Sequence, residues 1–360
     1  MAGQRILFAV HDWGLGHATR ALPLIRGLLE AGHAVTVLST GPALRLLECE
    51  LAGRCAFHDL PGIPKPFSRT AAGFYARLTL SLPRVLRAYR RERRFTRELC
   101  RQQGIDRIVS DTRFGVVDPE VPSYFLTQSL RQIVPGRPRL LERAVEAHQR
   151  RLLAPFRRIL VPDRAEDGGL TGDLSHHLSC DWGGRLTYIG PITDLAPREG
   201  APELDCFVTL SGEEPQRTML AQRVLGQVEG LPGRVVVTLG RQEATERTLE
   251  GGRVTVYGHL DREVQGAMMN RARLVVCRSG LSTLSEVARL GKRALLIPTP
   301  GQSEQEYLAR YHRERGHAHA VSQSRLDLAR DAVRAEGYPG LPPVPPGEET
   351  VRRFLAAVEA

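Results

Sequence analysis

The sequence predicts two α/β domains, each a parallel sheet flanked by helices. Three observations carry this expectation. The chain of 360 residues exceeds the usual ~100–200 residues of one domain, so a single core is not expected. Apolar runs of strand length alternate with helical patterns along nearly the whole chain. That alternation breaks once, at a Gly- and Asp-rich stretch from Asp163 to Trp182 that leads into TYIGPI and Gly190-Pro191.

The elements follow in order. RILFAV opens the first half, followed by a helix from Ala18 to Ala31, AVTVL, a helix near Leu44 and CAFHDL. A long helical region from Arg69 to Gln103 comes next, with Pro83 breaking or kinking it. IDRIVS, VPSYFLT, a helix from Leu140 to Leu153 and RRILVP complete that half. The second half repeats the logic with DCFVTLSG, a helix from Pro215 to Val228, RVVVTLG, RVTVYG, a helix from Glu263 to Asn270, and RLVVC. It continues through a helix from Thr283 to Leu290, RALLIP and a helix after Ser303. The segment Tyr338 to Gly347 is too rich in Pro and Gly for a helix, and the amphipathic end VRRFLAAVEA is expected to pack back on the protein. The domains are therefore placed at 1–190 and 191–345, with a C-terminal helix over 346–360 returning toward the first domain.

An apolar fraction of 42% and a charged fraction of 25% are those of a globular protein. The six cysteines form no CxxC pair, which argues against a zinc site or a disulfide framework and fits a reducing cytoplasm. The apolar run at the N-terminus is too short for a secretion signal or a membrane span. A net charge of +10 favours an anionic partner; nucleic acid, anionic lipid and a diphosphate substrate all qualify on charge alone, and nucleic acid is not the expected one. Arg84, Arg87, Arg90, Arg91, Arg93, Arg94, Arg97 and Arg101 crowd one helical stretch behind the apolar residues Phe74, Tyr75, Leu78, Leu80 and Leu82. That stretch is either a contact for an anionic membrane surface or a solvated helix face.

Chemistry concentrates in two places. After the first strand, Gly14 and Gly16 permit a tight turn into a helix, and His17 stands at the carboxyl edge of the sheet. Read as a dinucleotide fingerprint the turn is damaged, because Thr19 stands where the third glycine belongs. Imidazole titrates near neutrality, so His17 can take a proton from an acceptor hydroxyl; the alternative is packing at the helix start. Asp111, at the end of the strand in VSDTRFG, can orient the other nitrogen of His17, or else cap a turn.

The second place is Val275 to Ala309. A strand ends at Cys277, Ser279 and Gly280 make a turn, and Thr283 and Glu286 lie on the following helix. Turn N–H groups and hydroxyls suit a diphosphate, and an ionised glutamate suits a pair of ribose hydroxyls. An ordinary capping box of Thr283 and Glu286 is the alternative.

The cluster CRSG-x-x-T-x-S-E resembles the donor-binding signature of GT-B glycosyltransferases, in particular the bacterial N-acetylglucosaminyltransferases of peptidoglycan-precursor synthesis. The resemblance implies a GT-B fold, two Rossmann-like domains facing a central cleft with the donor nucleotide on the second. It places Glu286 on the ribose, Arg278, Ser279, Gly280 and Thr283 around the diphosphate or shaping its loop, and Leu260 beside the base. Gly16-His17 is similar to the glycine-histidine on the acceptor side of the same family, and in small-molecule glycosyltransferases sharing the GT-B fold a histidine at that point acts as base and an aspartate at the position resembling Asp111 assists.

Two departures stand out. Gln305-Glu306 replaces a glutamine pair that reads sugar hydroxyls, and Ser211-Gly212-Glu213-Glu214-Pro215-Gln216-Arg217 replaces a glycine-rich loop. Ser211, Gly212 and Arg217 are then the phosphate contacts, and Glu213 and Glu214 must point away. The implied reaction moves a hexose or N-acetylhexosamine from a UDP-linked sugar to an acceptor hydroxyl with inversion, using no metal and no other cofactor. A GT-B nucleotide-sugar epimerase and a non-catalytic nucleotide-sugar-binding protein are the alternatives, and the acceptor is not readable.

Overall fold

The computed structural model describes residues 3–63, 81–134, 136–241 and 246–360. The chain divides into two compact units, Met1–Asp194 together with Gly347–Ala360, and Leu195–Pro346.

In the first unit the elements are β1 (Arg5–Val10), α1 (Leu15–Glu30), β2 (Ala34–Ser39), α2 (Gly41–Glu50), β3 (Ala56–Asp59), α3 (Leu82–Gln103), β4 (Arg107–Asp111), β5 (Ser123–Leu126), α4 (Arg139–Leu152), β6 (Arg158–Val161) and β7 (Leu186–Tyr188). The sheet runs β3-β2-β1-β4-β5-β6-β7, with every pair parallel. Ile6 to Val10 are all fully buried, which explains the uninterrupted apolar run: a parallel sheet covered on both faces has no polar side. The C-terminal helix, α10 (Gly347–Glu359), inserts Phe354, Ala357 and Val358 into this core, with Phe354 and Phe8 ring centroids 6.3 Å apart.

The first part of the helical region expected from Arg69, with Phe74, Tyr75, Leu78 and Leu80, lies outside the described residues. Pro83 sits in the first turn of α3, where a residue has no intrahelical acceptor for its N–H in any case. The eight arginines from Arg84 to Arg101 are all exposed, and α3 buries the opposite face, including Val85, Ala88 and Leu99. TYIGPI is not wholly a crossing, because Thr187 and Tyr188 pair with β6 as part of β7.

The second unit contains β8 (Leu204–Thr209), α5 (Gln216–Leu225), β9 (Val235–Thr238), β10 (Glu246–Leu249), β11 (Val254–Tyr257), α6 (Arg262–Arg271) and β12 (Ala272–Cys277). It continues with α7 (Leu281–Arg289), β13 (Arg293–Leu296), α8 (Ser303–Glu314), β14 (His319–Ala320) and α9 (Leu328–Glu336). The sheet order is β10-β11-β9-β8-β12-β13-β14, parallel except for β10 against β11. The β10 strand, ERTL, has no apolar run to announce it. Among the described residues no helix is long and apolar enough to cross a membrane.

Strand order reverses between β1 and β4 in the first sheet and between β8 and β12 in the second. Connections leave in opposite directions at such a point and open a crevice beyond the carboxyl ends of the strands.

Candidate active site and donor loops

Both regions singled out in the sequence fall at these reversals. In the first unit Val10 and Asp111 are register partners, so the turn after β1 and the last residue of β4 start side by side. Gly14 caps α1 with φ +90°, a left-handed value suited to glycine, although a Cβ there would meet nothing within 4 Å. Glycine is needed for its backbone conformation, not for space. The turn brings His17 into the first turn of α1, with Nδ1 at 3.1 Å from each carboxylate oxygen of Asp111.

Asp111 is fully buried. Burial pushes its carboxyl group up, but Arg20 and then His17 outweigh that and hold it well below the usual carboxylate range. Arg20 donates from Nε to Oδ2 at 3.0 Å, forms a second, shorter bond from Nη2 to Oδ1, and gives Nη1 to Gln128 Oε1 at 2.6 Å. Its Nη2 also lies 2.9 Å from His17 Nδ1. Between a guanidinium and a carboxylate, electrostatics favours the tautomer in which Nδ1–H donates to Asp111. Nε2 is then the nitrogen left to receive a proton, and the side chain of His17 retains 20% exposure.

Sequence reading missed Arg20. One helical turn beyond His17, it shares the same face, and the spacing H-x-x-R was the available signal. His11 packs edge-on against His17 with centroids 5.1 Å apart and is itself buried. Burial, and after it the nearby His17, lower its pKa well below that of a free imidazole.

In the second unit β8, β12 and β13 are neighbours, and α5, α7 and α8 follow from their carboxyl ends. First-turn N–H groups of three helices therefore lie along one sheet edge. Ser211 and Gly212 are exposed, with Gly212 at φ +103°. Gly280 caps α7, so Thr283 and Glu286 are not capping-box partners. The side chain of Glu286 lies 3.6 Å from Arg262 Nη1, at the start of α6 and two residues beyond Leu260 in the loop after β11.

Three of the expected phosphate contacts behave differently. The Arg278 side chain is buried at 1% exposure and donates to the carbonyls of Ile297, Pro298 and Gln216 at 3.1 Å and to Gln323 Oε1 at 2.8 Å. It holds the loops from beneath and does not present its guanidinium at the surface. Burial lowers its pKa to about 10, which leaves it cationic at neutral pH, and none of these partners is an acid. Ser279 is fully buried and its hydroxyl donates to the Gln305 carbonyl at 2.7 Å. Arg217 is matched by Glu214, Nη2 to Oε1 at 2.7 Å, so its charge is largely answered within the loop. Gln305 and Glu306 both hold the turn before α8: Gln305 Oε1 accepts from Thr299 N and Glu306 Oε1 from Gly301 N, each at 2.9 Å. Thr299, which sequence reading passed over, is buried beside Gly212 with a hydroxyl lacking any partner among the described residues. Among the described residues, no group of three or more His, Cys, Asp or Glu is placed to hold a metal ion.

Comparison with known proteins agrees with this architecture. Residues 218–332 match the model of the glycosyltransferase family 28 C-terminal domain, which supports glycosyl transfer as the class of activity. A search of curated proteins found no match. Among solved structures, the glycotransferase of kitacinnamycin superimposes with a TM-score of 0.64 at 16% identity, covering 99% of this chain and 96% of that one. MurG of Acinetobacter baumannii gives a TM-score of 0.58 at 14% identity over 99% of each chain. LpCGTa, solved in complex with UDP, gives 0.59 at 15% identity over 99% of this chain and 94% of that one. At such identities the likeness establishes the fold, which is GT-B.

Proposed function

We propose that the protein transfers a hexose or N-acetylhexosamine from a nucleoside diphosphate sugar, UDP-linked, to the hydroxyl of an acceptor, with inversion. The observation that carries this reading is His17 on a fully buried, ionised Asp111 at the β1/β4 reversal. Asp111 holds Nδ1–H and stabilises the imidazolium as Nε2 takes the acceptor proton. The deprotonated hydroxyl oxygen forms a bond to the anomeric carbon, and the bond to the nucleoside diphosphate breaks with its electron pair. Its developing charge is met by helix N-termini and the loops at Ser211-Gly212 and Gly280, with Arg278 beneath them. Glu286 receives the ribose hydroxyls, Leu260 lies by the base, and Thr283 lines the phosphates. One structural neighbour is solved with UDP and another with thymidine diphosphate, which supports a nucleoside diphosphate here.

The arginine face of α3 is proposed as a contact with an anionic cytoplasmic membrane, which suits a lipid-linked acceptor. The test of the main reading is a thermal-shift screen of uridine and thymidine diphosphate sugars, followed by product analysis for anomeric configuration. Stabilisation by a UDP-sugar and an inverted glycoside are expected. No stabilisation by any nucleoside diphosphate sugar overturns the reading.

A further inference from the structure

The loop between β6 and β7 holds a second acid–histidine pair that the proposed transfer does not use. Asp163 is fully buried and accepts from the backbone N–H groups of Arg164, Leu170 and Thr171, from the Thr171 hydroxyl, and from His176 Nε2 at 3.1 Å. With Nε2 turned to Asp163, Nδ1 of His176 has no protein partner among the described residues. The His176 ring stacks on Tyr188 with centroids 5.0 Å apart, and the Tyr188 hydroxyl is already committed to the Ser175 carbonyl at 2.6 Å.

Both rings line a cavity of about 540 Å³, within the size range of small-molecule sites. Trp182 lines it too; it is buried at 4% exposure, and its indole N–H has no acceptor among the described residues. A buried N–H left without a partner is costly; the nitrogen is itself closed to solvent, so a ligand oxygen would relieve that cost after a small movement of the ring. The exposed carboxylates Asp167 and Asp181, the exposed His177, and Ser175 also line it.

We propose that this cavity binds a neutral, hydroxyl-bearing ring, that is, a sugar unit. A hydroxyl donates and accepts at once, so it answers both an imidazole lone pair and an indole N–H. Tyr188 and Trp182 give apolar surface for the C–H side of such a ring, and the two carboxylates, Asp167 beside Arg164, can accept further hydroxyls. The place in the fold fits a glycan acceptor. Asp163 follows β6 and Asp111 ends β4 at the same sheet edge, two strands apart, or roughly 10 Å at ~4.8 Å per strand. An acceptor of two or more sugars would thus present one hydroxyl to His17 and seat a second ring in the cavity. That assignment to the acceptor rests on the transfer reading; the binding of a sugar here does not.

The test uses the full chain carrying Trp13→Phe, which leaves Trp182 as the one tryptophan of the original two. Glucose, N-acetylglucosamine, cellobiose and glucuronic acid are titrated while Trp182 fluorescence is read. Alkylation of Cys180, which also lines the cavity, is followed by peptide mass spectrometry. A neutral saccharide is expected to give a saturable change and to protect Cys180, with glucuronic acid weaker. Both variants are read through Cys180 protection, since they remove or duplicate the one tryptophan: Trp182→Phe should weaken binding at least about fivefold, a loss typical of one hydrogen bond, and Ala165→Trp, filling the cavity from an exposed position, should abolish it in a protein of unchanged Tm. No saturation by any of the saccharides, or binding that both substitutions leave intact, overturns the inference. UDP binding is measured on the same samples: a chain that binds UDP and no saccharide loses this site and keeps the donor reading, and the reverse result does the opposite.

Discussion

At the strand-order reversal of the first unit, the buried Asp111 is matched by the buried Arg20 and accepts from His17 as well. At the reversal of the second, Arg278 is as deeply buried, but its hydrogen-bond partners are carbonyls and Gln323. A paired charge keeps its geometry whether or not a ligand is present, which suits a base that must be held in one tautomer. A buried cation unanswered by acid leaves an attractive potential for an anion arriving from solvent, which suits a diphosphate. The difference separates proton transfer from charge capture, and substitutions in the two places should therefore fail in different assays.

The largest expected effect is on turnover. His17→Ala should lower kcat by about 10²–10⁴-fold if Nε2 is the base, while UDP affinity stays near wild type. An active variant would remove His17 from the chemistry. Next in size is a folding effect: Arg20→Met leaves Asp111 buried without its cation and should destabilise the chain by about 3–5 kcal/mol in denaturant unfolding. Loss of UDP binding in a folded Arg20 variant would contradict the division between the two sites.

On the second unit the effect should be on affinity. Glu286→Ala should weaken UDP by about 1.5–3 kcal/mol in calorimetry well below Tm, the usual worth of a hydrogen bond to a charged group, and Arg278→Met, which acts through its field and not through a hydrogen bond to the ligand, should weaken it by less. For Arg278 the salt dependence of binding should flatten as well; for Glu286 it should not, since its proposed partner is the neutral ribose. Equal salt dependence in wild type and Arg278→Met would show that the buried cation does not act on the ligand.

Much of this was legible in the sequence, for definite reasons. ILFAV, VVVT and LVVC are apolar throughout because parallel strands are buried on both faces, and that pattern fixed the two sheets. His17 and Asp111 were readable because each follows a strand at its carboxyl end. Arg20 was not, because a charged residue near the start of a helix reads as solvated until the strand register sets a carboxylate opposite it. For Arg278 and Ser279 the sequence left two readings open, around a diphosphate or shaping its loop, because motif position does not tell which atoms face inward; their bonds are to the loops themselves. The β10 strand, polar and only four residues long, depends on its antiparallel pairing with β11 and carries no period of its own.

The smallest effect tests how rigidly the first site holds its protons. Folded His11 resists protonation because of burial first and His17 second, with Arg113 and Arg20 adding to the effect and Asp111 opposing it. The unfolded chain protonates the same ring at about pH 6.5. Between the folded and unfolded values the unfolded state binds more protons, so stability rises with pH and is lost as pH falls below about 6.5. Asp111 contributes in another window: its folded pKa is depressed, and its stabilisation disappears only as pH falls through the ordinary carboxylate range and on below it. A scan of Tm from about pH 7.5 to about pH 5.5 therefore isolates the histidine part of this pair of effects. His11→Phe, which keeps an aromatic ring beside Trp13 and His17 and removes the titration, should show a shallower fall in Tm than wild type over that interval. Parallel curves would mean that the buried imidazole is protonated as readily in the folded site as in solvent, and that the pocket around His17 is wetter than its packing implies.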